Sequence, residues 1–309
     1  FQMGYKAGVL EIIDTLGVSR TVTMDAGVSS YIGEAMEVYV YDDVTYLLNR
    51  DKVVLMDTDI ATQTALVQKD EGLVTSLGGE FSHTYTVSLE YSDGSIATGT
   101  YTAPDGTATG DAAKTASTYI VDQLDISLSG HANIKVGTVI STAGSTLRIT
   151  GAPDLKLTVT DGSGGTLLRS QSNSAEQLTD LSKFAPHGTL VRVEGGTGGE
   201  DDVWMRFNIE GATVGASFGS EGTWQEWYNP YEETEFDLTT MPHTIVYDGT
   251  NFTVSKGNWQ GRRVGDSTTN PTPSFVGNTI RDINGFQSRL VLIAGPHVIM
   301  SRTNIEVDF

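Results

Sequence analysis

The sequence predicts a mainly β fold: a propeller-like or meander β domain interrupted by an inserted α+β domain with one clear helix. Three observations predict it. The 309 residues include 35 Gly and about 40 Thr, and Val, Ile and Tyr are frequent. That is the vocabulary of strands and turns. Short apolar runs recur between Gly, Asp and Asn, at the spacing of sheets built from successive hairpins. Only one stretch carries helical periodicity.

The first part of the β domain is expected over 1–72. Val9, Leu10, Ile12 and Ile13 lie between Gly8 and a Leu16-Gly17 turn, and runs at 37–41, 45–48 and 52–56 follow. The insertion is expected over 73–187. Residues 84–89 alternate, Asp93-Gly94 is a hairpin signal, and 96–101 returns as the partner. Ala112, Ala113, Ala116, Tyr119, Ile120 and Leu124 then predict a helix over about 111–124, with Asp111 as its N-cap. Two hairpins follow: 135–140 with 147–150, and 155–160 with 166–169. The second turns at Asp161-Gly162-Ser163-Gly164-Gly165. The rest of the β domain is expected over 188–309, with strands at 190–193, 203–207, 223–228, 244–247 and 252–255. Shorter apolar runs at 290–293 and 298–300 stand among Pro271, Pro273 and Pro296. No internal period supports a repeat array.

Charge and composition exclude several classes of function. Asp plus Glu number 39 against 19 Lys plus Arg, a net charge of -20. A general grip on a phosphate backbone needs the opposite surface. With no Cys there is no disulfide framework, thiolate metal site or cysteine nucleophile. No apolar run is long enough for a spanning helix or membrane anchor, and no basic-then-apolar leader is visible. The start at Phe1, in mid-pattern, suggests a fragment or a processed product. The charge is also uneven. Residues 188–241 hold eleven acids against Arg192 and Arg206, whereas 256–309 hold six bases against four acids. Solvated loops account for that pattern, and so does a self-complementary interface or a surface that repels an anion.

Trp224, Glu226, Trp227, Tyr228, Tyr231, Glu232, Glu233, Glu235 and Asp237 form the richest local cluster. Aromatics beside carboxylates suit glycan contact or a glycoside hydrolase, in which carboxyl separation decides the mechanism. A loop between β elements is the plainer reading. Asp57-Thr58-Asp59 and Glu200-Asp201-Asp202 lack the loop pattern of a calcium site and read as solvated acids. His83, His131, His187, His243 and His297 are too scattered for a local zinc motif. Gly195-Gly196-Thr197-Gly198-Gly199 has acids rather than Lys after it, so it is a turn and not a phosphate loop. Asn251-Phe252-Thr253 matches a glycosylation acceptor pattern that is common by chance. No catalytic, cofactor or metal residues are assigned.

The C-terminal segment carries a string rather than a reaction. Gly265, Asp266, Asn270, Pro271, Pro273, Ser274 and Phe275 are followed by Ile280, Asp282, Phe286, Arg289, Leu290, Ser301 and Arg302. The glycine, Asn and prolines make turns and extended geometry. Phe275, Ile280, Phe286 and Leu290 are expected to pack as an anchor, with Arg289 and Arg302 on carboxylates or carbonyls. This string resembles the tail tubular protein B family, the tail nozzle of short-tailed podoviruses. Further pieces resemble the family in the same order: 43–50 around Tyr46-Leu47-Leu48-Asn49, Tyr101 to Gly106 with Tyr119-Ile120, 182–186, Trp224 with Glu226, and Thr240-Met241-Pro242-His243.

The resemblance implies a non-enzymatic structural subunit of the virion tail, made in the host bacterial cytoplasm. Six copies of the longer protein would form a ring with an adaptor or upper tail ring protein and tail fibres as partners. Genomic DNA would pass through without specific binding, and no cofactor is implied. Family members are longer, so truncation at Phe309 is expected. The rival readings are a glycan-binding or glycan-cleaving tail component using Trp224, Glu226, Trp227, Glu232 and Glu233, and a generic secreted β-rich adhesin.

Overall fold

A computed structural model describes the chain except residues 7–8, 42–43, 66, 68–70, 152–155, 197–201 and 214–217, and the side chain of Lys6. It separates into two compact units, Phe1–Ile60 with Pro230–Phe309, and Ala61–Asn229. The second unit thus starts before and ends after the 73–187 insertion expected from the sequence.

The first unit opens with β1 (Gln2–Lys6), β2 (Val9–Ile13) and β3 (Ser19–Arg20), an antiparallel sheet. Alternation in β2 buries Leu10 and Ile12 and exposes Val9 and Glu11. Asp14 closes the next turn, where its Oδ1 accepts from Leu16 N and Val18 N at 2.8 and 2.9 Å. Then come β4 (Val22–Met24), β5 (Met36–Tyr41) and β6 (Val44–Asn49). The run 52–56 does not form the expected strand. Val53, Val54 and Met56 each make a single bridge, to Thr279, Val276 and Phe236.

The second unit has a short α1 (Ala61–Thr64), then β7 (Glu71–Ser76), buried at every residue. β8 (Thr84–Glu90) and β9 (Ile96–Thr102) form the hairpin expected at Asp93-Gly94, with Gly94 at φ +79°. The helix differs from expectation. Residues Asp111–Thr115 form a 3-10 turn, and α2 runs Ser117–Ser129 with Ala116 at its N-cap. Asp111 accepts from Ala108 N and Lys114 Nζ instead of capping α2. Ile120, Val121, Leu124 and Leu128 bury the inner stripe of α2 in one core with Tyr85, Val87 and Leu89. Gly99 on β9 allows this approach, because a Cβ there would lie 2.7 Å from that of Leu128.

β10 (Val139–Ala143) pairs with β11 (Thr146–Thr150), so the first of these strands lies later than expected. β12 (Lys156–Thr160) and β13 (Leu168–Gln171) correct the second expected hairpin, whose first residue, Leu155, lies outside the described residues. They do not pair with each other: β12 edges the sheet β12-β8-β9, and β13 edges β10-β11-β7-β13. β14 (Ser174–Ala175), β15 (Leu190–Val193), β16 (Val203–Asn208) and β17 (Thr223–Trp227) make a further sheet in that order.

The chain then returns to the first unit with β18 (His243–Tyr247) and β19 (Phe252–Lys256), which complete the sheet β4-β19-β18-β6-β5. Tyr46, Leu47 and Leu48 of its strand β6 are all buried. Finally β20 (Ile280–Phe286), β21 (Arg289–Ala294) and β22 (His297–Met300) form an antiparallel meander over Phe275, Phe236 and Trp259. The fold is mainly β, and none of the described sheets closes into a barrel. No helix among the described residues is long and apolar enough to cross a membrane.

Candidate functional site

The C-terminal string forms a set of structural ties. Gly265 adopts φ +76°, and a Cβ there would lie 2.7 Å from Thr269 Oγ1. Asp266 Oδ1 accepts from Thr268 N, Thr269 N and Thr269 Oγ1 at 2.9, 2.8 and 2.9 Å. The Thr269 amide, then its hydroxyl, hold this carboxyl below the usual range against the opposing effect of burial. Asn270 N donates to Asp266 O at 2.8 Å, and Asn270 Nδ2 to Val264 O at 3.1 Å. Pro271 and Ser274 are exposed and Pro273 is half-buried. Their stretch leads into Phe275, which is fully buried with the rings of Phe236 and Phe309 each 5.4 Å away.

Sequence reasoning missed the residue that ties this loop down. Buried Arg262 donates through Nε to Asn270 O at 2.9 Å and through Nη1 to Glu232 Oε2 at 2.7 Å. The same Glu232 oxygen accepts from Ser267 N at 2.7 Å. Arg262 lies outside the string, so its spacing carried no signal. Glu232 stood in the glycan cluster, and here its carboxylate anchors the loop.

Further on, Asp282 is exposed and its Oδ1 accepts from Ile283 N at 2.8 Å. The register slips between Ile280 and Asp282. This bulge corrects the expected anchor. By simple alternation Phe286 would share the face of Ile280, but the slip turns Ile283 inward and leaves Phe286 54% exposed. Leu290 is buried as expected. Arg289 Nη1 donates to Ser301 O at 3.1 Å, and buried Ser301 accepts from Leu290 N through Oγ at 2.9 Å. Exposed Arg302 lies 3.6 Å from the Asp308 carboxylate.

The Trp224–Asp237 cluster is divided between the two units. Trp224, Glu226 and Trp227 belong to one unit, and Glu232 and Glu233 to the other. On β17 the two indoles occupy opposite faces, because they are three residues apart in a strand. Trp224 Nε1 donates to Ser182 O at 2.7 Å and its ring lies 5.1 Å from Phe207. Trp227 carries the Arg206 guanidinium 4.4 Å above its ring. Glu226 and Glu233 are exposed. Asp59 N donates to Asp57 Oδ1 at 2.9 Å, an ordinary turn. Of the 195–202 stretch, residues 197–201 lie outside the described residues.

His243 is the most perturbed histidine. It is fully buried, stacks 4.1 Å from Tyr31, and its Nδ1–H donates to Met241 O at 2.9 Å. Burial pulls its pKa down to about 4, so the ring is neutral. Its Nε2 has no hydrogen-bond partner within the described residues. Among the described residues no three His, Asp or Glu side chains converge as a metal site requires.

Charged and polar groups in the string are thus spent on turns, hairpin closure and loop anchoring. A β-rich structural protein is the class these features define. The chain belongs to the bacteriophage nozzle protein family, whose model matches residues 1–309. It is 26% identical over 307 residues to the tail tubular protein gp12 of Escherichia phage T7. That alignment covers 95% of this chain and 36% of the relative, so the chain spans about a third of the relative's length. The protein is a structural component of a phage tail, located in the virion tail.

Proposed function

We propose that the chain is part of a nozzle subunit that closes into a ring of six copies, through which genomic DNA leaves the virion. Its partners would be an adaptor or upper tail ring protein and the tail fibres, and it would catalyse no reaction. Membership of the nozzle family over the whole chain carries this reading. The net charge of -20 supports it physically. An acidic wall repels a polyanion over roughly a Debye length, about 8 Å at physiological salt, so DNA slides past without adhering.

A ring requires two different faces of one subunit to complement each other. The acid-rich 188–241 and the mildly basic 256–309 are the candidate faces. In the second stretch Arg262 and Arg302 are used internally. Arg263 and Arg281 are exposed and make no ion pair among the described residues, which leaves them for a neighbouring subunit.

The test uses the full-length protein. Negative-stain electron microscopy should show six-fold rings, and Arg263→Glu with Arg281→Glu should reduce them to smaller species. Retention of DNA in a gel shift at low salt would overturn the conduit reading. A melting shift with an oligosaccharide, lost in Glu226→Gln, would replace it with the glycan reading.

A further inference from the structure

The parting of β12 and β13 leaves two sheet edges facing one cavity. Loop 161–167 joins the strands around the carboxylate of Asp161, which is 1% exposed. It accepts from the amides of Ser163, Gly165, Leu167 and Leu168 at 2.8, 3.0, 2.6 and 3.0 Å. Burial works against this charge, but the four amides prevail and bring the carboxyl down to about 2. The loop is therefore preformed, and it does not close as a hairpin.

Ladder alternation identifies the backbone groups left over. Leu77 N donates to Leu167 O at 2.9 Å, so the bonded pairs along β13 are Arg169 with Thr75 and Gln171 with Leu73. Ser76 N donates to Ser145 O on the opposite side, as that alternation requires. Ser170 therefore turns its N–H and C=O off the free edge. In the other sheet Tyr91 N donates to Ser95 O and Ala103 N to His83 O, so odd residues of β8 bond β9. Its even residues bond Lys156, Thr158 and Thr160, which leaves Leu157 and Val159 pointing off the edge of β12.

Between these edges lies a cavity of about 610 Å³, within the ordinary range for a ligand site. Its lining includes Leu157, Val159, Ser170, Gln171 and Glu176, and contains no aromatic ring among the described residues. Gln171 is 3% exposed; its Oε1 accepts from Ser182 N at 2.8 Å, while its Nε2 has no acceptor among the described residues. An unpaired buried amide donor is costly unless an acceptor arrives. Arg169 is neutralised by Asp180 at 2.5 Å and Glu194 by Arg192 at 2.8 Å. Exposed Glu176 has no ion pair among the described residues, so the cavity has an uncompensated negative charge.

We propose that the open end of the wedge between β12 and β13 accepts an extended peptide strand bearing a Lys or Arg, which pairs with the free edge of β13. Backbone pairing supplies the affinity and Glu176 the charge preference. A saccharide fits less well, because the lining offers no ring on which a sugar would stack.

The experiment uses the 309-residue chain and a blocked hexapeptide, Thr-Val-Lys-Val-Thr-Val, at millimolar concentration, read by hydrogen exchange. The expected result is about tenfold slower exchange at Ser170. The same peptide with methylated backbone nitrogens should give no slowing. A Glu-for-Lys peptide should bind more weakly, and Glu176→Lys should reverse that order. Ser170→Pro removes an amide that bonds nothing among the described residues, so it should leave the melting temperature nearly unchanged and abolish peptide protection. If Ser170→Pro unfolds the chain, the Glu176→Lys reversal still decides. No slowing at saturating peptide, equal slowing by the methylated peptide, or slowing by maltohexaose alone would overturn the proposal.

Discussion

In the first unit, β20 and β21 meet across a turn at Gln287 and Ser288. In the second, β12 and β13 part across the loop 161–167. The first turn has unfavourable local chemistry: φ is +49° at Gln287 and +58° at Ser288, where Gly or Asn is usual. It closes nonetheless, because Ile283, Leu290 and Leu292 must share one core with Phe275. The second has a glycine-rich turn suited to a hairpin, and stays open. There Asp161 takes the amides, β8 takes one strand and β7 the other. Competition for sheet partners, rather than turn chemistry, decides which neighbours pair.

The largest expected break is on the closed side. Phe275→Ala should cost about 3–5 kcal/mol by leaving a cavity under the meander. Calorimetry and hydrogen exchange should show the loss in the first unit and leave β7 and α2 of the second protected. On the open side, Asp161→Ala should cost about 2–3 kcal/mol, since four amides, that of buried Leu168 among them, lose their acceptor. Exchange at Leu167 and Leu168 should accelerate, which the same assay reads directly.

Acid should separate the two regions. His243 has its folded pKa depressed to about 4 from an ordinary value near 6.5. Its contribution to the first unit is full above about 6.5 and is lost as pH falls toward 4. The Asp161 contribution is full above its ordinary value of 3.8 and is lost only as pH falls toward 2. Unfolding followed by tryptophan fluorescence and exchange should therefore show the first unit weakening at milder acidity. If both weaken together, the two histidine and aspartate environments do not act independently. The smallest effect is Ser288→Gly, which should stabilise the meander by about 0.5–1 kcal/mol by relieving the left-handed conformation. A loss on denaturant titration would mean that the Ser288 side chain matters more than its backbone.

Much of the fold was legible because strands announce themselves by alternation. Tyr85, Val87 and Leu89, and Ile120 with Leu124, are buried where period alone placed them. The misplaced features share one cause. Phe286 faces outward because a single-residue bulge flips every later side chain, and a bulge leaves no mark in composition. Residues 52–56 look like a strand yet make only single bridges, because their partners are scattered at 236, 276 and 279. The Glu232–Arg262 tie was invisible for the same reason, as nothing local links the two positions.

Sequence by itself determined the β class, the acidity, the lack of thiol chemistry and the family string, since all of these are additive over residues or confined to short spans. Only the tertiary structure decided which strands share a sheet, which face Trp224 and Trp227 take, and that β12 and β13 stand apart. Those choices depend on competition among distant segments for the same hydrogen-bonding edges and the same buried volume. No window along the chain contains both competitors.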